Sequence, residues 1–337
     1  MVKPQWLLLG AETLLGKEIR DLVDQRKLPI ALRTASAEAS EAVLTSNDDE
    51  VEVLEPLSAE LVDDARVLLL GASLETNRKA LALAHGLAVR PAVIDLTGDF
   101  EDLPASVVRS PLLESPRAAY PADALHAPAH PAAAALARLL SALHAAHPVK
   151  AAVANLFEPA SQRGHAGVDE LHKQSVNLFN FQPLPKTIFD AQVTFNMMPR
   201  FGAQATANLE KNELRIERHL ASLLGPGGVP LPSLRLIHAP VFHAYCVNLW
   251  VEFARRPAVK AVREVLSEAG FDVRDAAGEP ASNVGIAGQS GIAVSDIAED
   301  RSSASGLWLW AAFDNIRALA DEALLVAGLL SRAENAK

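Results

Sequence analysis

Three short runs of uninterrupted apolar residues decide most of what this chain can fold into. Gln5–Leu9, Val67–Leu70 and Ala92–Leu96 carry no polar alternation. A strand that shows one face to water alternates, whereas a strand buried on both faces reads as a continuous apolar run. Helix-like stretches follow the first two runs. In Leu15–Val23, the residues Leu15, Ile19, Leu22 and Val23 fall on one face, and Leu74–Ala88 separates the second run from the third. This order predicts a Rossmann-like parallel sheet covered by helices on both sides. Pro104–Pro131 has loop composition, and an Ala/Leu-rich helix is expected over Ala132–Ala146, closed by Pro148.

Beyond that helix the pattern changes. Strands are expected at Ala151–Phe157, Ala191–Phe195, Leu234–Ile237, Cys246–Phe253 and Leu307–Phe313, with amphipathic helices at Glu210–Leu224 and Ala258–Ala269. Strands that follow one another without a helix in every gap indicate an α+β domain with a mixed or antiparallel sheet. Asn315–Leu330 reads as a long apolar helix that returns to the first domain. The expected organisation is a domain over 1–130 completed by 315–337, and a second over 131–314.

The 41 acidic against 31 basic residues leave a net charge of −10, which repels a phosphate backbone and disfavours nucleic-acid binding. No run reaches the roughly 18 apolar residues that span a bilayer, and the apolar run at the start of the chain is too short for a secretory signal. The single cysteine, Cys246, excludes an internal disulfide and a multi-cysteine metal site. A soluble cytoplasmic protein is expected, with no membrane partner.

Between the first run and the first helix lies Gly10-Ala11-Glu12-Thr13-Leu14-Leu15-Gly16. Dinucleotide loops at this place need small residues, so that backbone N–H groups approach a pyrophosphate at the helix N-terminus. Gly10 and Gly16 meet the first and last requirements. Thr13 puts a Cβ at the middle one, and Glu12 adds a like charge beside the phosphate. The loop therefore supports two readings: weak NAD or NADP binding through Gly10, Ala11, Glu12, Thr13 and Gly16, or a strand-turn-helix junction without nucleotide.

The order of several motifs resembles the aspartate-semialdehyde dehydrogenase family, in particular its divergent USG-1-like branch. The loop at Gly10–Gly16 is similar to the family's GATGxVG. Val93-Ile94-Asp95-Leu96-Thr97-Gly98-Asp99-Phe100 resembles its VID segment, and Phe195-Asn196-Met197-Met198-Pro199 its FN-x-x-P turn. Pro240-Val241-Phe242 resembles VPVF; Gly306-Leu307-Trp308-Leu309-Trp310 and then Asp314-Asn315-Ile316-Arg317 resemble GL-x-x-W followed by DNLRKG. The resemblance covers nearly the whole chain. It implies a nucleotide domain, a second domain that carries the catalytic residues and a homodimer interface, and NADP-dependent, phosphate-dependent oxidation of a semialdehyde to an acyl phosphate.

That reaction needs a cysteine nucleophile, because a thiolate forms a thioester that phosphate can open. The family's PNC[ST]-type turn matches Ala127-Pro128-Ala129-His130-Pro131-Ala132, so His130 stands at the nucleophile. Glu158 stands at the substrate-orienting glutamine and His238 at the arginine for the substrate carboxylate. Tyr245 stands at the general-base histidine, or His243 if the register shifts. The cationic positions of the cofactor and anion sites hold Glu38, Glu101 and Ala318-Leu319. An anion site needs clustered cations, and these substitutions remove them together. No catalytic residue is assigned.

His126 with His130, and His144 with His147, have spacings compatible with paired metal ligands. Pro128 breaks the first pair and no HExxH occurs, so no metal site is expected. Glu210, Lys211, Glu213, Arg215, Glu217 and Arg218 read as a solvated helix face. Three functions follow. The favoured one is a homodimeric, catalytically degenerate homologue with a structural, regulatory or interaction role. The others are an active NAD(P)-dependent oxidoreductase of amino-acid biosynthesis acting on a semialdehyde, and a different small-molecule enzyme using His130 and Glu158, for which no ligand is identified.

Overall fold

The computed structural model describes residues 3–36, 43–47, 50–115, 118–121 and 123–333. They divide into two compact units, Met1–Ala129 with Leu319–Lys337, and His130–Ala318.

The first unit runs β1 (Gln5–Leu9), α1 (Leu14–Gln25), β2 (Ala31–Ser36), β3 (Val43–Asn47), β4 (Glu50–Pro56), α2 (Ala59–Asp63), β5 (Val67–Leu70), α3 (Leu74–His85), β6 (Ala92–Asp95), β7 (Ser106–Arg109) and β8 (Leu125–Pro128). The strands form one sheet in the order β3-β4-β2-β1-β5-β6-β8-β7, parallel except for β3. Alternation along β1 builds two cores. Trp6 and Leu8 pack with Ile19 and Leu22 of α1 and with Ala323, Ala327 and Leu330 of the last helix. Leu7 and Leu9 pack with Leu61, Ala80 and Ala84 of α2 and α3. Trp6 Nε1 donates to Ser331 Oγ at 2.9 Å, tying the end of that helix to the sheet.

The second unit runs α4 (Pro131–Ala146), β9 (Val149–Glu158), α5 (Gly164–Phe179), α6 (Leu209–Leu224), β10 (Ser233–His238), β11 (Tyr245–Phe253), α7 (Val259–Glu268), β12 (Asp272–Val273), α8 (Asn283–Ile286), β13 (Ala293–Glu299) and β14 (Gly306–Phe313). The final helix, α9 (Asn315–Ala333), begins in this unit and ends in the first. Its sheet is mixed, in the order β10-β9-β11-β14-β13-β12. β9 pairs parallel with β10 and antiparallel with β11, which pairs antiparallel with β14. Inward side chains of β9 (Ala152, Ala154, Leu156, Glu158) are buried, while Val153 on the opposite face is 39% exposed. In register on that outer face stand Trp250, Trp308 and Trp310, all half-buried.

Two expectations are corrected. Pro104–Pro131 is not all loop: it holds β7 and β8, each only four residues long and therefore too short to show a period. Ala191–Phe195 is not a strand. Its backbone bonds go to side chains of α5 instead of to a neighbouring strand. Gln174 Oε1 accepts from Val193 N at 2.8 Å and Thr194 N at 3.3 Å, while its Nε2 donates to Pro185 O at 2.7 Å and Ala191 O at 2.9 Å. Glu170 accepts from Ile188 N and Phe189 N. The Gln174 amide and the Glu170 carboxylate thus provide the partners that buried backbone requires.

Gln174 is wholly buried, and an orphaned buried polar group costs about 1–3 kcal/mol. Gln174→Leu should therefore lose about 3 kcal/mol or more in urea unfolding. The exposed neighbour change Lys173→Ala should cost no more than about 0.5 kcal/mol.

Candidate functional site

Four elements of the second unit bring their ends together on the inner face of the sheet. α4 starts at His130, with Pro131 in its first turn, where the fixed φ of proline suits a helix. The register His238↔Glu158 places the ends of β10 and β9 side by side, and Tyr245 opens β11. α6 turns Asn212, Ile216, His219 and Leu220 inward, at the spacing of one helical face.

Glu158 lies at the centre, with none of its surface exposed. Arg163, from the turn after β9, donates to Oε1 at 2.7 Å. Tyr245 Oη donates to Oε2 at 3.0 Å, and Asn212 Nδ2 donates to the same oxygen. Burial raises the Glu158 carboxyl above its usual range, while Arg163, Tyr245 and Asn212 pull it back. Burial and the neighbouring carboxylate hold Tyr245 well above the ordinary phenol value.

His130 is fully buried and caps α4 with its own ring: Nδ1 accepts from Ala132 N at 3.2 Å. Its backbone N donates to His219 Nδ1 at 2.9 Å. Desolvation, then the charge of Arg215, the neighbouring His219 and the charge of Arg163, push its pKa well below normal, so the ring is neutral. A neutral imidazole has one donor and one acceptor nitrogen. Its Nε2 lies 3.2 Å from Gln162 Nε2, on an amide whose Oε1 accepts from Asn315 Nδ2. Both nitrogens are committed.

His238 is different. It is fully buried, flanked by the rings of Phe189 and Phe201 at 5.1 and 5.3 Å, and neither ring nitrogen has a protein partner. Desolvation, with the Arg163 charge, lowers its pKa to about 4.

The structure thus gathers His130, Glu158, His238 and Tyr245 in one neighbourhood. His243 lies half-buried in the turn before β11. Arg163, Gln162, Asn212 and His219 were not singled out from sequence, although Asn212 and His219 share the helical spacing of a buried face. The expected solvated face of α6 is partly corrected: Glu213 accepts from Leu236 N at 2.6 Å on the edge strand. His126 lies in β8 with its ring bonded to Arg109 and to Pro121 O, and His144 accepts from Val149 N. Among the described residues no group of three or more His, Cys, Asp or Glu side chains could hold a metal ion. Cys246 is buried on β11 amid Ala244, Ala281, Ile286, Ala293 and Ala312. No described helix is long and apolar enough to cross a membrane.

In the first unit, Thr13 caps α1 and closes the turn after β1. Its Oγ1 accepts from Gly16 N at 3.0 Å and donates to Gly10 O at 2.8 Å. Gly10 has φ +77°, and a Cβ there would stand 2.2 Å from Gly71 O; one on Gly16 would stand 2.1 Å from Gly10 O. Both glycines are therefore explained by backbone packed on backbone. Glu12 is exposed, Glu101 is half-buried and Glu38 lies outside the described residues.

Residues 140–318, more than half of the chain, match the family model described as semialdehyde dehydrogenase, dimerisation domain. An aspartate-semialdehyde dehydrogenase of Rickettsia bellii is 24% identical over 321 residues, 92% of each chain. A USG-1 protein homolog of Pseudomonas aeruginosa is 27% identical over 316 residues, again 92% of each. In structure, aspartate semialdehyde dehydrogenase II of Vibrio cholerae superposes with a TM-score of 0.83 at 20% identity, over 98% of this chain and 99% of that one. A probable aspartate-semialdehyde dehydrogenase of Pseudomonas aeruginosa gives 0.83 at 24% identity, over 97% and 98%.

A histidine that is neutral when folded but titrates at about 6.5 when unfolded takes up more protons in the unfolded state, so stability falls with pH. For His238 the fall runs from about pH 6.5 down to about 4 and amounts to roughly 3 kcal/mol. His238→Gln should flatten the stability profile of the protein between those values, read by urea unfolding at several pH values. An unchanged slope would contradict the assignment.

Proposed function

The chain belongs to the semialdehyde dehydrogenase family, and from that premise we propose that it is a homodimeric member that has kept the fold and given up the parent reaction. Its role is then structural, regulatory or that of an interaction partner. The observation that carries this reading is the double commitment of His130. A ring nitrogen could in principle accept or move a proton. Here Nδ1 accepts from Ala132 N at the start of α4, and Nε2 is met by the Gln162 amide at 3.2 Å. Carbon–sulfur bond formation, the step the family resemblance demands at this position, has no atom to perform it.

The neighbouring groups support the same reading. Glu158 spends its acceptors on Arg163, Asn212 and Tyr245. It makes no bond to His130, so the two do not form an acid–base pair. Arg163, one of the cations whose charge reaches the cluster, is already paired with the Glu158 carboxylate at 2.7 Å. An incoming anion would have to displace Glu158 from it.

The homodimer rests on the matched dimerisation domain and on the open face of the second sheet. Val153, Phe157, Trp250, Trp308 and Trp310 line that face and are only partly buried. A row of large apolar side chains on an otherwise formed sheet marks an interaction surface, and a self-complementary face suits a two-fold interface.

Two measurements test the reading. Purified protein given aspartate semialdehyde, phosphate and NADP should show no nucleotide reduction above the protein-free rate; reduction at 1 s⁻¹ or faster, on the order of ordinary turnover numbers, would falsify the loss of the parent reaction. Val153→Arg should convert the dimer to a monomer in sedimentation while the far-ultraviolet circular dichroism is retained. A variant that remains dimeric would remove the sheet face from the interface.

A further inference from the structure

Losing the nucleophile does not by itself remove nucleotide binding, and the first unit answers that separate question with its own residues. A dinucleotide on a doubly wound sheet lies across the carboxyl ends of the strands, its pyrophosphate held by free N–H groups at a helix start. We infer that the carboxyl edge of the first unit's sheet is closed on its own side chains and does not take a dinucleotide.

Three successive strand-to-helix or strand-to-loop turns carry the inference. After β1, the amides of Thr13 and Gly16 are spent on Gly10 O at 3.0 Å and on Thr13 Oγ1 at 3.0 Å. The remaining first-turn amides, those of Leu14 and Leu15, sit next in the chain to the Thr13 side chain and the exposed carboxylate of Glu12. A phosphate there meets a Cβ where close approach needs none, and a like charge. After β5, Asn77 closes the turn: its Oδ1 accepts from Ala72 N at 3.2 Å and its Nδ2 donates to Ala72 O at 3.0 Å, while Ser73 Oγ takes Thr76 N. After β6, the buried Asp95 carboxylate accepts from Thr97 N, Thr97 Oγ1, Gly98 N and Phe100 N, between 2.8 and 3.0 Å. The amides of Thr13, Gly16, Ala72, Thr76, Thr97, Gly98 and Phe100 are thus bonded within the turns at these three places.

Charge points the same way. Glu12, Asp95, Asp99 and Glu101 lie in these turns, and the cations nearest to the first two turns in sequence, Lys17 and Arg20 in α1 and Arg78 and Lys79 in α3, belong to helix bodies. Gly10 and Gly16 do not argue against this, because a Cβ on either would stand 2.2 or 2.1 Å from a backbone oxygen, which already demands glycine there.

Calorimetric titration of the full-length protein with NADP, and separately with NAD, tests the inference together with one variant. The wild type should show no saturable heat up to 1 mM of either nucleotide and no rise in Tm. Thr13→Ala, which removes the cap without adding bulk, should lower the Tm of nucleotide-free protein by about 2–4 °C. Saturable one-to-one binding at micromolar concentration would overturn the inference. So would nucleotide-dependent protection of the Thr13–Gly16 amides from hydrogen exchange, or an unchanged Tm in Thr13→Ala. Binding without turnover would overturn it and leave the proposed function intact.

Discussion

A carboxylate with no exposed surface organises the second unit. Burying an unpaired Glu158 would cost several kcal/mol, and that cost is offset only if its oxygens are fully bonded. Arg163, Asn212 and Tyr245 meet that condition, and each comes from a different element: the turn after β9, α6 and the start of β11. The ion pair therefore fixes where these elements end relative to one another. It also sets the electrostatic climate for its neighbours. Arg163 stands among the charges that keep His130 and His238 neutral.

Under the function proposed above, the same arrangement lets the fold persist without the parent reaction. A reactive site keeps acceptors, donors and a nucleophile available to something outside the protein. Here, apart from the His238 ring, these groups are bonded to one another. His130 caps a helix, Glu158 neutralises Arg163, and Tyr245 donates to Glu158. In the first unit Thr13, Asn77 and Asp95 likewise bond the turns that follow β1, β5 and β6. In both units the polar groups stabilise the protein by bonding internally.

Much of the fold was legible because it rests on apolar periodicity. The uninterrupted runs became β1, β5 and β6, and the amphipathic stretches became α1, α3, α6 and α7 within a few residues of their expected ends. What was not legible depended on long-range polar partners. Ala191–Phe195 has a strand-like composition, yet Gln174, some twenty residues earlier, bonds its backbone at Ala191, Val193 and Thr194. β7 and β8 are too short for a period to register. At the site, the motif order located His130, Glu158, His238 and Tyr245 because each sits beside a proline or within a strand. Arg163 and Asn212 escaped because a single charged or amide residue on a turn or helix carries no pattern, until the carboxylate it meets is known.

The account stands or falls on the ring of His130. Nitrogen-15 spectroscopy of histidine-labelled protein reads the tautomer and titration of that ring directly. A neutral ring protonated at Nε2, unchanged from pH 8 to pH 5.5, is the predicted result. A ring that titrates near neutral pH, or carries its proton on Nδ1, would mean that the helix start is not capped by it and that a free basic nitrogen remains for chemistry.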